Sequence, residues 1–234
     1  MERPIYVLAA APSTQSELRD FFESGDKSIL ALLERPPAFR RGGWDLGTAS
    51  PPRIVGGEYL ESGNQDDKII RLYEDGTLLA RVAADSFLAW PIHPPEFSQN
   101  PKLNTLALVE FTTAFVYFYR QLLGRFMTPL QNIKFQVKFQ NAEVAGKRIY
   151  VIPFPVKSIA WQFEDLPGAK HPISHSNPQR DITISANQVQ DEPDVTACLL
   201  VEKVFLFFDV PSNELPYVKQ EKPRRVDVHS FSKS

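Results

Sequence analysis

The sequence predicts an α+β domain, with a mainly antiparallel sheet packed against a long apolar helix and a C-terminal helix. Three patterns carry this expectation. A hairpin signature spans 69–84, where Ile70, Leu72, Leu78 and Ala80 alternate with outward positions around Asp75-Gly76; glycine tolerates the positive φ that a tight turn needs. An apolar run over 104–126 is long enough for several turns of helix. Ile133, Phe135, Val137 and Phe139 alternate with Lys134, Gln136, Lys138 and Gln140, the period of two that marks a half-buried strand. Strands follow one another without a helix between each pair, which points away from a doubly wound parallel sheet.

In chain order, Ile5 to Ala10 is a compact apolar run closed by Pro12 and reads as a strand. Ser13 or Thr14 offers an N-cap, and Ser16-Glu17 completes a loose capping box ahead of Leu18, Phe21 and Phe22 at helical spacing. Gly25 punctuates, and a short helix is expected from Asp26-Lys27-Ser28 to Leu33, ended by Pro36-Pro37. The stretch 36–66 is rich in proline and glycine and reads as a long loop, or as short strands around 44–46 and 53–55. After the hairpin, Phe87-Leu88-Ala89-Trp90 leads into Pro91, Pro94 and Pro95, and the long helix follows, with Gly124 near its end. Beyond the strand at Ile133, further strands are expected at 149–154, 158–163 and 181–186, with a loop over 165–180. Asp191 or Asp194 caps a final helix running through Phe208, with Pro193 in its first turn, where a missing N–H does no harm. The domain is thus expected over residues 1–210, followed by a polar, loosely ordered tail over 211–234 with few core-forming residues.

Composition narrows the function classes. The chain has 234 residues, 43% hydrophobic, and its 17 Phe, 7 Tyr and 3 Trp supply ample apolar surface for a core. Its net charge of −2 lacks the global basic excess that announces a nucleic-acid binder, though a local basic patch stays open. Cys198 stands alone, so it forms neither an intramolecular disulfide nor a cysteine zinc cage; it reads as a small buried hydrophobe in a protein of a reducing, cytoplasmic compartment. Glu110 and Arg120 interrupt the apolar stretch 106–123, which reads as a core helix and not a membrane span of about 20 apolar residues.

Catalytic signatures are scarce. No phosphate-binding glycine motif occurs, and Gly42-Gly43 and Gly56-Gly57 read as turn glycines. His171 and His175 have helical i,i+4 spacing, but Pro172 and Pro178 place them in a loop, and no metal site is expected. There is no nucleophile elbow around a serine. Glu164-Asp165 and Asp191-Glu192 read as solvated surface or caps. No catalytic residue and no cofactor is assigned.

Two polar constellations remain. Glu110, Thr113 and Tyr117 share one face of the long helix through steps of three and four residues. A carboxylate there needs a partner or a raised pKa, so this face is either a structural tie or the floor of a ligand pocket. Arg40 and Arg41 beside Trp44 combine cations with an aromatic ring, the elements of a stacking platform for single-stranded nucleic acid. The alternative is a solvated loop anchored by a buried Trp44.

The segments 40–46 (Arg-Arg-Gly-Gly-Trp-Asp-Leu), 68–78 (Lys-Ile-Ile-Arg-Leu-Tyr-Glu-Asp-Gly-Thr-Leu) and 108–112 (Leu-Val-Glu-Phe-Thr) occur in that order. A glycine-rich loop, a hairpin on an aspartate-glycine turn and an aromatic helix opening near a glutamate together resemble the C-terminal module of bacterial Schlafen/AlbA-type proteins, described as DNA-binding or ATP-binding proteins. In that family nucleic-acid chemistry is ascribed to an upstream AlbA-like domain without counterpart in these segments, so no functional residue is carried over. The resemblance implies a non-catalytic accessory, sensing or partner-binding module, with a protein partner such as an AlbA-type nucleic-acid-binding domain and no membrane partner. Two other readings stay open: a metal-dependent nuclease whose ligands, Glu110 among them, are dispersed in sequence, and a small-ligand sensor at Glu110, Thr113 and Tyr117.

Overall fold

The computed structural model describes residues 3–19, 21, 28–88, 102–144, 146–151 and 171–233. It shows an α+β architecture in which helices pack on a large antiparallel sheet. The elements run β1 (Ile5–Pro12), α1 (Ile29–Glu34), β2 (Arg53–Val55), β3 (Tyr59–Gly63), β4 (Lys68–Tyr73), β5 (Leu78–Ala83), α2 (Thr105–Leu123) and β6 (Asn132–Gln140). Small strands follow: β7 (Glu143–Val144), β8 (Lys147–Arg148), β9 (Tyr150–Val151) and β10 (His171–Pro172). The described chain closes with β11 (Gln179–Ser185), α3 (Ala186–Asp191), α4 (Pro193–Phe205), β12 (Val218–Lys219), β13 (Arg225–Val226) and a final 3-10 segment, Val228–Lys233.

Among the described residues the main sheet has seven strands in the order β11-β6-β1-β5-β4-β3-β2. Every adjacent pair is antiparallel. Alternation sorts its side chains cleanly, because successive residues of a strand point to opposite faces. On one face Tyr6 lies opposite both Val82 and Phe139, and Leu8 opposite both Ala80 and Val137. Ile70, Leu72, Leu60 and Ile133 continue this face, and all of these residues join one contiguous apolar cluster. The other face carries Val7 between Arg81 and Lys138, and Ala9 between Leu79 and Gln136.

The helices lie on the apolar face. Asn104 caps α2 by accepting from the N–H groups of Leu106 and Ala107, which satisfies two orphan donors of the first turn. Only Tyr117, Arg120, Gln121 and Leu123 of this 19-residue helix escape full burial. Its Phe111 meets Tyr6 edge-on at 6.4 Å and its Tyr119 meets Phe135 at 5.7 Å, so the helix spans β1 and β6. The buried aliphatic and aromatic residues of α1, α3 and α4 belong to the same cluster. No helix among the described residues is long and apolar enough to cross a membrane.

Several expectations need correction. The helix expected after Ser13 is absent from the described residues 13–19, and Leu18 instead bridges Phe126. Ser16 donates its hydroxyl to the Asp75 carbonyl, and the Leu18 N–H reaches the Glu74 carbonyl at 2.8 Å. The hairpin tip therefore captures the polar groups that a helix would have used internally. The short helix begins at Ile29 with Ser28 as its cap; the expected strand at 158–163 lies outside the described residues. Residues 44–46 form no strand, whereas 53–55 do. Asp194 is not a cap, because its carboxylate accepts from Tyr117; Pro193 does open α4.

The tail departs most from its expected loose, polar character. Leu215, Val226 and Phe231 are buried, and β13 packs on α4. Phe231 sits edge-on to Phe39 at 5.4 Å and to Tyr217 at 6.1 Å. Arg224 pairs with Glu202 of α4 at 2.8 Å. A few widely spaced apolar residues suffice to seat this segment, which is why its average composition gave no sign of it.

Candidate functional site

The Glu110, Thr113 and Tyr117 face of α2 is occupied by the chain itself. Glu110 is 1% exposed. Arg40, seventy residues away, donates from Nε to both carboxylate oxygens, at 3.3 Å to Oε1 and 3.1 Å to Oε2. The Arg40 guanidinium also stands 5.0 Å from the centre of the Trp44 ring, a cation–π arrangement. Trp44 in turn donates its indole N–H to the Phe87 carbonyl at 3.0 Å. Gly43 permits this closeness: a Cβ there would collide with the Glu110 carboxylate.

Burial pushes the Glu110 carboxyl above the usual carboxylate value, while the Arg40 charge and hydrogen bond and the Trp44 backbone N–H pull against it. Desolvation dominates because the carboxylate has given up water for one guanidinium and one amide. The group is buried and held in place at both oxygens.

Thr113 and Tyr117 have separate tasks. Thr113 donates its hydroxyl to the Val109 carbonyl one turn back, at 2.7 Å. Tyr117 donates to Asp194 Oδ1 at 2.6 Å, tying α2 to the first turn of α4. Burial, reinforced by the bond to Asp194, raises its phenol pKa. The ring of Phe39 packs edge-on to Tyr117 at 5.1 Å. The three residues share a helix face, as their spacing requires, but each is engaged with a different part of the chain.

Arg40, Arg41 and Trp44 divide in the same way. Arg40 and Trp44 are half-buried and committed inward, and Arg41 is exposed. The structure thus brings together Arg40, Trp44 and Glu110, which the sequence had assigned to two different constellations.

Two polar clusters escaped the sequence reading. Lys68 is buried, donates to the Asp45 carbonyl at 2.8 Å and lies 4.4 Å from the centre of the Phe87 ring. Burial pulls its pKa down to about 8, against the opposing charges of Asp45 and Asp67. Its parity with Ile70 and Leu72 in β4 was the available signal, since residues two apart share a face. On the opposite face Glu61 binds Arg53 at 2.8 Å and Arg71 at 2.9 Å. The hydrogen bond from Arg53 leads the effects that hold the Glu61 carboxyl below its usual value. No spacing rule links a residue of β2 to one of β3 before the register is known.

Among the described residues no cluster of His, Cys, Asp and Glu is arranged to hold a metal ion. His171 points its ring Nδ1 at the Phe208 carbonyl, 3.2 Å away. Cys198 is buried in α4, and burial pushes its thiol up to about 12, a protonated and unreactive state at neutral pH.

Fold and site together define an antiparallel α+β domain whose buried polar side chains bind segments of the chain to one another. No known protein family, curated protein or solved structure matches this chain.

Proposed function

We propose that the chain is a non-catalytic accessory, sensing or partner-binding module that works with a nucleic-acid-binding protein or domain, such as one of the AlbA type. The observation that supports this most is the state of Glu110. Its two oxygens are taken up by Arg40 in a buried setting, where a nuclease ligand would need an oxygen facing a cleft. Of the other candidate polar groups, Thr113, Tyr117 and Trp44 are likewise engaged, and Arg41 is exposed. Chemistry that holds segments together suits a module whose work is done at its surface.

Two measurements test the reading. The purified chain is incubated with magnesium or manganese and labelled single-stranded DNA, duplex DNA or RNA, beside its Glu110→Gln variant. The expected result is no cleavage that distinguishes the two; cleavage that the substitution abolishes would establish the nuclease instead. The chain is then titrated with a purified AlbA-type domain in a calorimeter. Saturable binding at micromolar concentration is expected, and a flat titration removes the partner half of the proposal.

A further inference from the structure

The outward face of the main sheet has a chemistry that the internal ties do not explain. In register across it lie Arg53, Arg71, Arg81, Lys134 and Lys138, against Glu61 and Asp181. This is a net positive surface on a chain whose overall charge is −2. Glu61 is shared between Arg53 and Arg71, and Asp181 takes Lys134 at 3.2 Å. Arg81 and Lys138 have no such neighbour: both are opposite Val7, one on each side of β1, and neither side chain forms a hydrogen bond or ion pair among the described residues. The Arg81 Nε is buried and without a partner. Two strand spacings separate these cations, about 10 Å.

The same face carries planar groups. Tyr59 and Tyr73 are cross-strand neighbours, their ring centres 5.2 Å apart, and the Arg71 guanidinium stands 5.2 Å from the Tyr59 ring. Tyr73 lies four residues from Ile69, the partner of Arg81, or about 13 Å along the strand. On β1 of this face the half-buried Ala9 and the buried Val7 lie between Leu79 and Arg81 of β5 on one side and Gln136 and Lys138 of β6 on the other. The buried apolar residues of this face, Ile5, Val7 and Ile69, stand outside the apolar cluster under the helices.

We infer that this sheet face binds single-stranded nucleic acid, with Arg81 and Lys138 taking backbone phosphates and Tyr59 and Tyr73 stacking bases. Unpaired cations supply sequence-independent attraction to phosphate, and aromatic rings accept any base on their faces. An acidic protein segment would satisfy the cations but would leave the tyrosine pair without a role, which is why the strand is favoured. The assignment stands apart from the partner reading above: it predicts direct contact by this chain alone, and either can fail without the other.

Fluorescence anisotropy of a fluorescein-labelled oligothymidylate, titrated with the full chain over a series of salt concentrations, tests it. The wild-type chain should bind, with affinity falling as salt rises. Replacing both Arg81→Gln and Lys138→Gln should flatten the slope of log affinity against log salt by about 0.7 for each cation removed. Tyr73→Ala should weaken binding about tenfold without changing that slope. Lys147→Gln, at an exposed position of β8 outside the main sheet, should change neither quantity. Lys134→Glu, at a well-exposed position with no bearing on the core, serves where another variant fails to fold; it should weaken binding too. Absence of binding, or a slope that responds to Lys147→Gln and not to Arg81 and Lys138, overturns the assignment. So does displacement of the probe by equimolar polyglutamate, with Tyr73→Ala silent, which would identify an acidic protein as the occupant.

Discussion

The two faces of the main sheet share one backbone and differ in what their side chains can do. Under the helices, Tyr6, Leu8, Phe135 and Phe139 are fully buried, and polar groups in that layer such as Glu110 and the Tyr6 hydroxyl are tied to specific partners, while the buried Tyr119 hydroxyl has none among the described residues. The Tyr6 hydroxyl, for instance, meets Thr112 Oγ1 at 2.9 Å, which keeps a buried polar group satisfied. Across the sheet, one residue away along each strand, Arg81 and Lys138 are left without anions. The difference lies in charge: under the helices the buried Glu110 carboxylate is paired with Arg40, whereas across the sheet the Arg81 and Lys138 side chains have no counter-ion among the described residues.

The largest expected contrast is in stability. Phe135→Ala should cost about 3–5 kcal/mol in urea or thermal unfolding, through lost burial and the cavity left behind. Gln136→Ala, its neighbour on the opposite face, should stay within about 0.5 kcal/mol. Comparable losses at both positions would mean that the outward face is packed as tightly as the core.

Next in size is the loss of Arg40. Arg40→Met leaves the Glu110 carboxylate buried without its counter-charge and should destabilise by about 3 kcal/mol at neutral pH. The sign with pH follows from proton binding. Because the folded carboxyl holds its proton more readily than the unfolded one, the contribution of Glu110 to stability falls as pH rises through the interval between the two values. Without Arg40 that fall should be steeper, and acidification should recover part of the loss. Urea unfolding over a pH series reads both effects.

Tyr117→Phe should cost about 1.5–3 kcal/mol, the range for a hydrogen bond to a charged group, since it leaves Asp194 without its donor. A smaller effect comes from Lys68. Its folded pKa, near 8, lies below the ordinary lysine value, so the unfolded chain binds more protons between the two and stability should rise with pH across that window. Lys68→Met should abolish the rise. A wild-type stability that is flat from about pH 8 upward would contradict the burial of this amine.

Much of this fold was legible. The alternation from Ile133 to Phe139 set both the strand and its two faces, and Asp75-Gly76 marked the turn of β4 and β5. Gly76 adopts φ 84° there and packs where a Cβ would meet the Phe126 ring. The apolar run from residue 104 marked the long helix, which Asn104 caps, whereas Ser28, expected inside the short helix, is its cap. What failed were signals decided by distant chain. Leu18, Phe21 and Phe22 have helical spacing behind the capping box of Ser16-Glu17, but Ser16 and Leu18 bond to the hairpin tip. Phe231 looks isolated until Phe39 and Tyr217 close around it. The candidate residues were found, but their relations were not: Glu110 and Arg40 were read as parts of two sites because seventy residues separate them, and local spacing has no reach over that distance. Arg81 and Lys138 were invisible as a pair, since only the register of β5, β1 and β6 makes them neighbours.

The most direct measurement is a double-mutant cycle on the buried pair. Arg40→Met, Glu110→Leu and the double variant are unfolded in urea at neutral pH beside the wild-type chain. If the pair is a structural tie, the double variant should lose about 2 kcal/mol less than the two single losses added together, because removing both partners leaves no unpaired buried charge. Simple additivity would show that Glu110 and Arg40 do not depend on each other and that the carboxylate has another purpose.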